Sequence, residues 1–165
     1  MKNCEIVLQD YNSEVVEHLT IPNVLLNAPG SDDFLFDDTE EQAAAGASKE
    51  EETSAPETRF FSGDWRPLKQ LLRDRGDLKY DLVLTSETIY SEASQPKLLD
   101  LFDSFLSDDG AACVLVAAKV HYFGVGGGLR QFEAVLEATG KWRAETVKVV
   151  DTGVKREIVK VTRKK

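Results

Sequence analysis

Residues 80–90 have the sequence YDLVLTSETIY, in which an apolar run gives way to polar and aromatic side chains. The run at 80–86 predicts a buried strand, and Ser94 and Pro96 begin a helix soon after it. A second apolar run, AACVLVAA at 111–118, predicts another strand that is buried on both faces. Strands that alternate with helices in this way indicate a parallel sheet in an α/β domain.

The same alternation extends toward the start of the chain. Residues 5–9 (EIVLQ) predict a strand, and Asn12 or Ser13 can begin a helix behind it. Its apolar side is formed by Val15, Val16 and Leu19. We expect Pro22 to end that helix and residues 23–27 (NVLLN) to form a second buried strand.

The end of the chain predicts an antiparallel hairpin. Residues 142–150 and 155–162 each alternate apolar and polar side chains, and a short turn containing Gly153 joins them. Two more helices are predicted to end at Gly76 and Gly140. The expected fold is therefore a mostly parallel sheet that helices cover on both faces, with the hairpin as an antiparallel edge.

The negative charge of the chain is concentrated in one segment. The net charge is −9, and residues 28–58 hold ten acids and one base, so the rest of the chain sums to zero. Such a segment buries too little apolar area to offset its chain entropy, and it predicts a disordered insert. The sequence contains no apolar run long enough for a membrane span, no signal-peptide pattern and no metal-ligand spacing.

Candidate binding residues follow the predicted strands. Asp10 comes directly after the strand at 5–9, where a carboxylate can accept hydrogen bonds from both hydroxyls of a ribose; it could equally be a helix-start acid. Trp65 can stack on an adenine while Asp64 accepts from the exocyclic amine. The alternative for this pair is a helix cap and a core tryptophan.

Glu87 and Tyr90 stand three apart after the strand at 80–86, so they are predicted to face one cleft; the alternative is an ordinary loop. The glycine-rich stretch 124–128 departs from the G-x-G-x-x-G phosphate pattern because Leu129 takes its last position. We interpret it as a turning loop on the substrate side, with His121 as a further candidate for the cleft. No Ser-His-Asp arrangement suggests hydrolysis.

Four motifs in this order resemble the histidine protein methyltransferase family: QDYN (9–12), FFSGDW (60–65), YDLVLTSETIY (80–90) and YFGVGGG (122–128). This family is a branch of the seven-strand S-adenosylmethionine-dependent protein methyltransferases. Glu87 and Tyr90 match its D/E-x-x-Y/F motif. The resemblance implies a Rossmann-like sheet, mostly parallel with an antiparallel C-terminal hairpin, and S-adenosyl-L-methionine as cofactor.

The resemblance also implies a protein substrate, a histidine of a ribosomal protein, and a monomer of the cytoplasm or nucleus that needs neither membrane nor nucleic acid. The implied catalytic residues are Glu87, Tyr90 and Tyr122, with Phe123 near the incoming side chain. The implied cofactor-binding residues are Asp10, Tyr11, Asn12, Asp64, Trp65 and Ser86.

In the family a central strand and a G-x-G turn precede the QDYN motif, whereas here Met1 stands only four residues before the first predicted strand. We therefore expect residues 1–165 to be an N-terminally truncated, partial methyltransferase domain that is inactive or impaired alone. Two other functions stay open: a non-catalytic interaction module and a lysine methyltransferase. A nucleic-acid methyltransferase is disfavoured, because SETIY replaces the Asn/Asp-Pro-Pro-aromatic motif expected there.

Overall fold

The computed structural model describes residues 5–27, 57–76, 79–124 and 126–164. The chain divides into two compact units, Met1–Asp64 and Trp65–Lys165. Helices and strands are both present in each unit, so the fold is mixed α/β. Within the described ranges, no helix combines the length and the apolar character that crossing a membrane requires.

The first unit contains a two-stranded parallel sheet. Strand β1 (Glu5–Asp10) pairs with β2 (Glu57–Ser62) in a register that places Asp10 opposite Ser62. Between them in sequence lie the helical turn α1 (Ser13–Val15), a π-helical turn (Val16–Thr20) and the helix α2 (Ile21–Leu26). Because the two strands run parallel, the segments that follow them meet at one edge of the sheet.

The predicted strand at 23–27 is wrong, because these residues belong to α2 and to the turn after it. Pro22 does not end the helix; it lies in the first turn of α2, where its missing N–H costs no hydrogen bond. Leu25 is 64% exposed and Leu19 is 58% exposed, so neither belongs to a buried core. The apolar residues at 23–27 predicted a buried strand, but in the tertiary structure the strand that pairs with β1 is β2.

Residues 57 and 58, which the sequence assigned to the acidic insert, begin β2. The rest of that insert, residues 28–56, lies outside the described residues, so its disorder stays a prediction. The assignment of residues 1–165 to one partial methyltransferase domain likewise stays a prediction.

The second unit contains a four-stranded sheet in the order β3-β4-β6-β5. Its strands are β3 (Leu82–Ser86), β4 (Cys113–Lys119), β5 (Trp142–Val150) and β6 (Arg156–Arg163). β3 and β4 are parallel, and β6 is antiparallel to both β4 and β5. The strands predicted at 80–86 and 111–118 and the C-terminal hairpin are therefore confirmed.

Within the described residues of this unit, three helices accompany the sheet: α3 (Trp65–Asp74), α4 (Gln95–Phe105) and α5 (Leu129–Ala138), with a 3-10 turn (Glu92–Ser94) before α4. The core forms between these helices and one face of the sheet. Its fully buried members include Phe102, Val114, Val116, Phe132, Val159 and Val161. Successive side chains of a strand point to opposite faces, so alternate residues of β4 and β6 enter this core.

The other face of the sheet is open at β3. Leu82 is 53% exposed and Leu84 is 69% exposed, and both alternate with the half-buried Val83 and Thr85. The prediction that helices cover both faces of the sheet is therefore wrong for β3. The apolar run at β3 predicted burial correctly for one face of the strand only. A continuous apolar run does not show which faces of a strand a helix will cover.

We expect Phe132→Ala to lower the free energy of unfolding of the second unit by about 3–5 kcal/mol, because the fully buried ring of α5 would leave a cavity. The matched control, Glu137→Ala, changes an exposed position of the same helix and should stay within about 0.5 kcal/mol of the parent. Urea unfolding followed by tryptophan fluorescence measures both. Equal losses in the two variants would contradict this placement of the core.

Candidate active site

The segments after β1 and β2 are tied together by hydrogen bonds. The Gly63 amide donates to the Asp10 carbonyl oxygen (3.0 Å), and the Gln9 side-chain amide donates to the Gly63 carbonyl oxygen (2.8 Å). Asp10 and the residues leading to Asp64 are therefore neighbours at the carboxyl edge of this two-stranded sheet. This is the edge at which open α/β sheets bind their ligands.

The Asp10 carboxylate also shapes its own turn. Its Oδ1 accepts a hydrogen bond from the Asn12 amide (2.9 Å), and the Tyr11 side chain is exposed. An ionised carboxylate offers about four lone-pair sites, so this bond leaves acceptor capacity for a hydroxyl. Trp65 is the first residue of α3 and packs partly against the core of the second unit. The assignment of Asp10, Tyr11, Asn12, Asp64 and Trp65 to a cofactor stays a prediction.

In the second unit, Glu87 directly follows β3 and has a positive φ of 55°. This left-handed conformation costs a non-glycine residue roughly 1–2 kcal/mol. The backbone is held there because the Glu87 amide donates to the Ala117 carbonyl oxygen (2.9 Å), which continues the β3–β4 pairing by one residue. Strain of this kind concentrates at functional sites, where it fixes the direction of a side chain.

The Glu87 carboxylate lies beside one hydrogen-bond donor and two cations. Tyr122 Oη donates to Oε2 (2.9 Å), and Lys119 Nζ lies 3.7 Å from the same oxygen. Arg156 Nε lies 3.9 Å from Oε1. The Lys119 amide in turn donates to Tyr122 Oη (3.2 Å), so the phenol is fixed from both sides. The carboxylate is therefore oriented while remaining partly open to solvent.

Burial raises the pKa of Tyr122 from 10.0 to about 12. The hydrogen bond from the Lys119 backbone opposes that rise, whereas the hydrogen bond to Glu87 and its negative charge add to it. Ionising the phenol would place two anions against each other, so the proton stays on Tyr122 at neutral pH. Tyr122 is therefore a permanent hydrogen-bond donor to Glu87 and is unsuited to act as a base.

Aromatic rings stand beside this carboxylate. The rings of Tyr90 and Tyr122 lie 6.3 Å apart between centroids and are tilted by 59°, and Tyr90 is 49% exposed. A pocket of about 550 Å³ opens next to Glu87. It is lined by Ser86, Glu87, Ala117, Ala118, Lys119, Val150, Arg156, Glu157 and Ile158.

The loop that carries Glu87 and Tyr90 is anchored in the core. The Ile89 side chain between them is fully buried, and the buried Gln95 side chain donates to the Ile89 carbonyl oxygen (3.0 Å). The Gly127 amide donates to the Tyr90 carbonyl oxygen (3.2 Å). A Cβ on Gly127 would lie 2.4 Å from the carbonyl oxygens of both Ile89 and Tyr90. Only glycine lets these two backbones approach so closely.

The structure brings together several of the residues predicted for the target side. Glu87 lines the pocket and accepts a hydrogen bond from Tyr122, and the ring of Tyr90 lies 6.3 Å from that of Tyr122. Ser86, which was predicted to lie along the cofactor, lines the same pocket next to Glu87. His121 and Phe123 are exposed, and Phe123 is 94% so. Within the described ranges, no cluster of histidine, cysteine and carboxylate side chains could hold a metal ion.

Sequence reasoning missed Lys119 and Arg156. Their placement follows from the pairing of β4 with β6, in which Lys119 lies opposite Arg156. A single sequence predicts the hairpin but not the register of its second strand against β4. The signal that was available is the change from apolar to basic residues at the end of one strand and the start of another.

No protein-family model matches the sequence. A mouse protein named histidine protein methyltransferase 1 homolog is 39% identical over 159 residues, covering 96% of this chain and 43% of the mouse protein. The Dictyostelium discoideum protein of the same name is 36% identical over 161 residues, with the same coverage. Histidine protein methyltransferase 1 of Saccharomyces cerevisiae is 28% identical over 187 residues, covering 96% and 49%. The chain spans less than half the length of these relatives.

We expect Gly127→Ala to displace the backbone at Ile89 and Tyr90, because the added methyl group would overlap both carbonyl oxygens. Backbone amide chemical shifts in an NMR spectrum of the chain measure this displacement. The control is Gly124→Ala, whose added methyl group meets no atom within 4 Å although Gly124 itself has a positive φ of 83°. Unchanged amide shifts at 89–91 in Gly127→Ala would contradict the close packing of these two loops.

We expect the Tyr122 phenol to ionise with a pKa of about 12 in an ultraviolet absorbance titration. Because its folded pKa lies above the unfolded value near 10, its contribution to stability is complete below pH 10 and is lost between pH 10 and about 12. Tyr122→Phe should remove the late phase, and Glu87→Gln should shift it to lower pH. A late phase that survives Tyr122→Phe would show that another tyrosine produces it.

Proposed function

We propose that the chain belongs to the histidine protein methyltransferase family and carries the target pocket of a protein-histidine N-methyltransferase. The support is its 39% identity to the mouse relative over the 43% of that protein's length that it spans. The observation that carries the proposal is the Glu87 carboxylate, which Tyr122 fixes at 2.9 Å at the rim of an open pocket. The partly exposed ring of Tyr90 lies beside Tyr122 and gives a flat acceptor an apolar wall.

Methylation of histidine demands alignment more than acid-base chemistry. A neutral imidazole is already nucleophilic near pH 7, since its reference pKa is about 6.5. Its attacking nitrogen must be unprotonated, so the N–H must sit on the other ring nitrogen. Glu87 would accept a hydrogen bond from that N–H and so select the reactive tautomer. Tyr122 contributes by holding the carboxylate, because its own proton is not available for transfer at neutral pH.

The cofactor of this proposal is S-adenosyl-L-methionine, which supplies an electrophilic methyl group on a sulfonium. Asp10 fits the role of ribose ligand, because its carboxylate stands at the carboxyl edge of a parallel sheet and keeps acceptor capacity beside its bond to Asn12. Tyr11 and Asn12 would flank the adenosine, Asp64 and Trp65 would contact the adenine, and Ser86 would lie along the cofactor. The order β3-β4-β6-β5, with its antiparallel β6, supports a seven-strand Rossmann-like sheet for the whole domain.

The remaining parts of the proposal rest on the family resemblance. The substrate would be a protein, with a histidine of a ribosomal protein as the target, and the enzyme would act as a monomer in the cytoplasm or nucleus. The 165-residue chain by itself would be impaired. The support for impairment is that β3 keeps the apolar side chains of Leu82 and Leu84 exposed.

The test compares the chain with a chimera in which it replaces the aligned segment of the mouse relative. We expect the chimera to bind S-adenosylmethionine in calorimetric titration and to methylate a histidine in a protein acceptor, located by peptide mass spectrometry. The 165-residue chain alone should bind the cofactor far more weakly. Methylation of lysine only, or no methylation by a chimera that folds and binds the cofactor, would overturn the proposal.

Within the same chimera, Glu87→Gln should lower turnover at least about tenfold, because the amide presents a donor as well as an acceptor to the ring N–H. The matched control is Glu92→Gln, a like change of an exposed carboxylate five residues further along. Cofactor affinity should be unchanged in both variants. Equal turnover in Glu87→Gln and Glu92→Gln would remove Glu87 from the proposed role.

A further inference from the structure

We propose that Lys119 and Arg156 are specificity-determining residues that make this pocket accept an uncharged ring and reject a cationic amine. The inference rests on the proposed function and deepens it, since it states which protonation state and which side chain the pocket admits. It explains how a carboxylate beside two aromatic rings, an arrangement equally suited to an ammonium group, would be kept from binding lysine.

The two cations are fixed by strand register. Lys119 ends β4 and Arg156 begins β6, and the two are direct partners in the antiparallel pairing. Lys119 Nζ lies 3.7 Å from Oε2 of Glu87, and Arg156 Nε lies 3.9 Å from Oε1. Each carboxylate oxygen therefore faces one cation that the chain itself supplies. Lys119 Nζ also lies 5.4 Å from the centre of the Tyr122 ring, so it occupies a cation position over that ring.

The other acidic residue that lines the pocket, Glu157, does not cancel the positive charges beside Glu87. Glu157 is 3% exposed and already has two cationic partners, Arg130 and Lys155, the latter at 3.6 Å. Tyr122 stays neutral, as shown above. Among the residues that the structure describes, two positive charges thus face the one negative charge of Glu87.

The consequence differs between the two kinds of acceptor. A lysine ammonium would be a third cation near Glu87, so it would have to displace Lys119 or Arg156 or meet their repulsion. A neutral imidazole adds no charge, and its N–H can donate to a lone pair of Glu87 that the cations leave open. Because Glu87, Lys119 and Arg156 are each between a third and a half exposed, solvent screens these charges. Each cation should therefore change the preference only about two- to fivefold.

The test measures binding of two side-chain analogues to the 165-residue chain by NMR titration. The probes are imidazole, at a pH above its own pKa, and n-butylammonium at the same pH and ionic strength. We expect the parent chain to bind imidazole more tightly. Lys119→Gln and Arg156→Gln should each strengthen n-butylammonium binding about two- to fivefold while leaving imidazole binding within twofold, and the double variant should combine the two effects.

The matched control is Arg143→Gln, which removes the same charge at the opposite end of the β5–β6 hairpin and should leave both affinities unchanged. A parent chain that binds n-butylammonium as well as imidazole, or that binds neither probe, would overturn the inference. So would equal gains for both probes in Arg156→Gln. Because no cofactor or methyl transfer enters this measurement, a failure of the proposed methyltransferase activity in the chimera is observed separately.

Discussion

The antiparallel pairing of β6 with β4 is the constraint on which both the core and the pocket depend. One register places Val114 opposite Val161 and Val116 opposite Val159, all fully buried. The same register, continued to the end of the strands, places Lys119 opposite Arg156 beside Glu87. A slip of one residue would send every side chain of β6 to the opposite face. The burial of valines therefore fixes where the charges of the pocket stand.

The apolar core and the candidate site occupy different parts of the second unit. The helices and one face of the sheet form the core, and the segments after β3 and β4 carry the candidate site residues. These segments meet because Gly127 lies against the backbone of Ile89 and Tyr90, with no room for a Cβ. The fully buried Ile89 anchors the loop between the two candidate side chains, Glu87 and Tyr90. The left-handed backbone of Glu87 is held in place by the hydrogen bond from its amide to the Ala117 carbonyl oxygen.

Several elements were predictable because their signals are local. The alternation of apolar and polar residues identified the C-terminal hairpin, and the apolar runs identified β3 and β4. The error at 23–27 has a physical reason: the run is too short for its periodicity to separate a strand from a helix. Pro22 was interpreted as a helix end, although the first turn of a helix accepts proline well.

The sequence by itself determined the type of most elements of the second unit, the candidate residues Glu87, Tyr90 and Tyr122, and the motifs on which the family resemblance rests. These properties depend on residue types at short separation along the chain, so they can be identified from the sequence directly. Only the tertiary structure decided that Tyr122 donates to Glu87, that Arg156 and Lys119 flank that carboxylate, and that one face of β3 remains open. These are contacts between residues far apart in sequence, and strand register and helix packing create them.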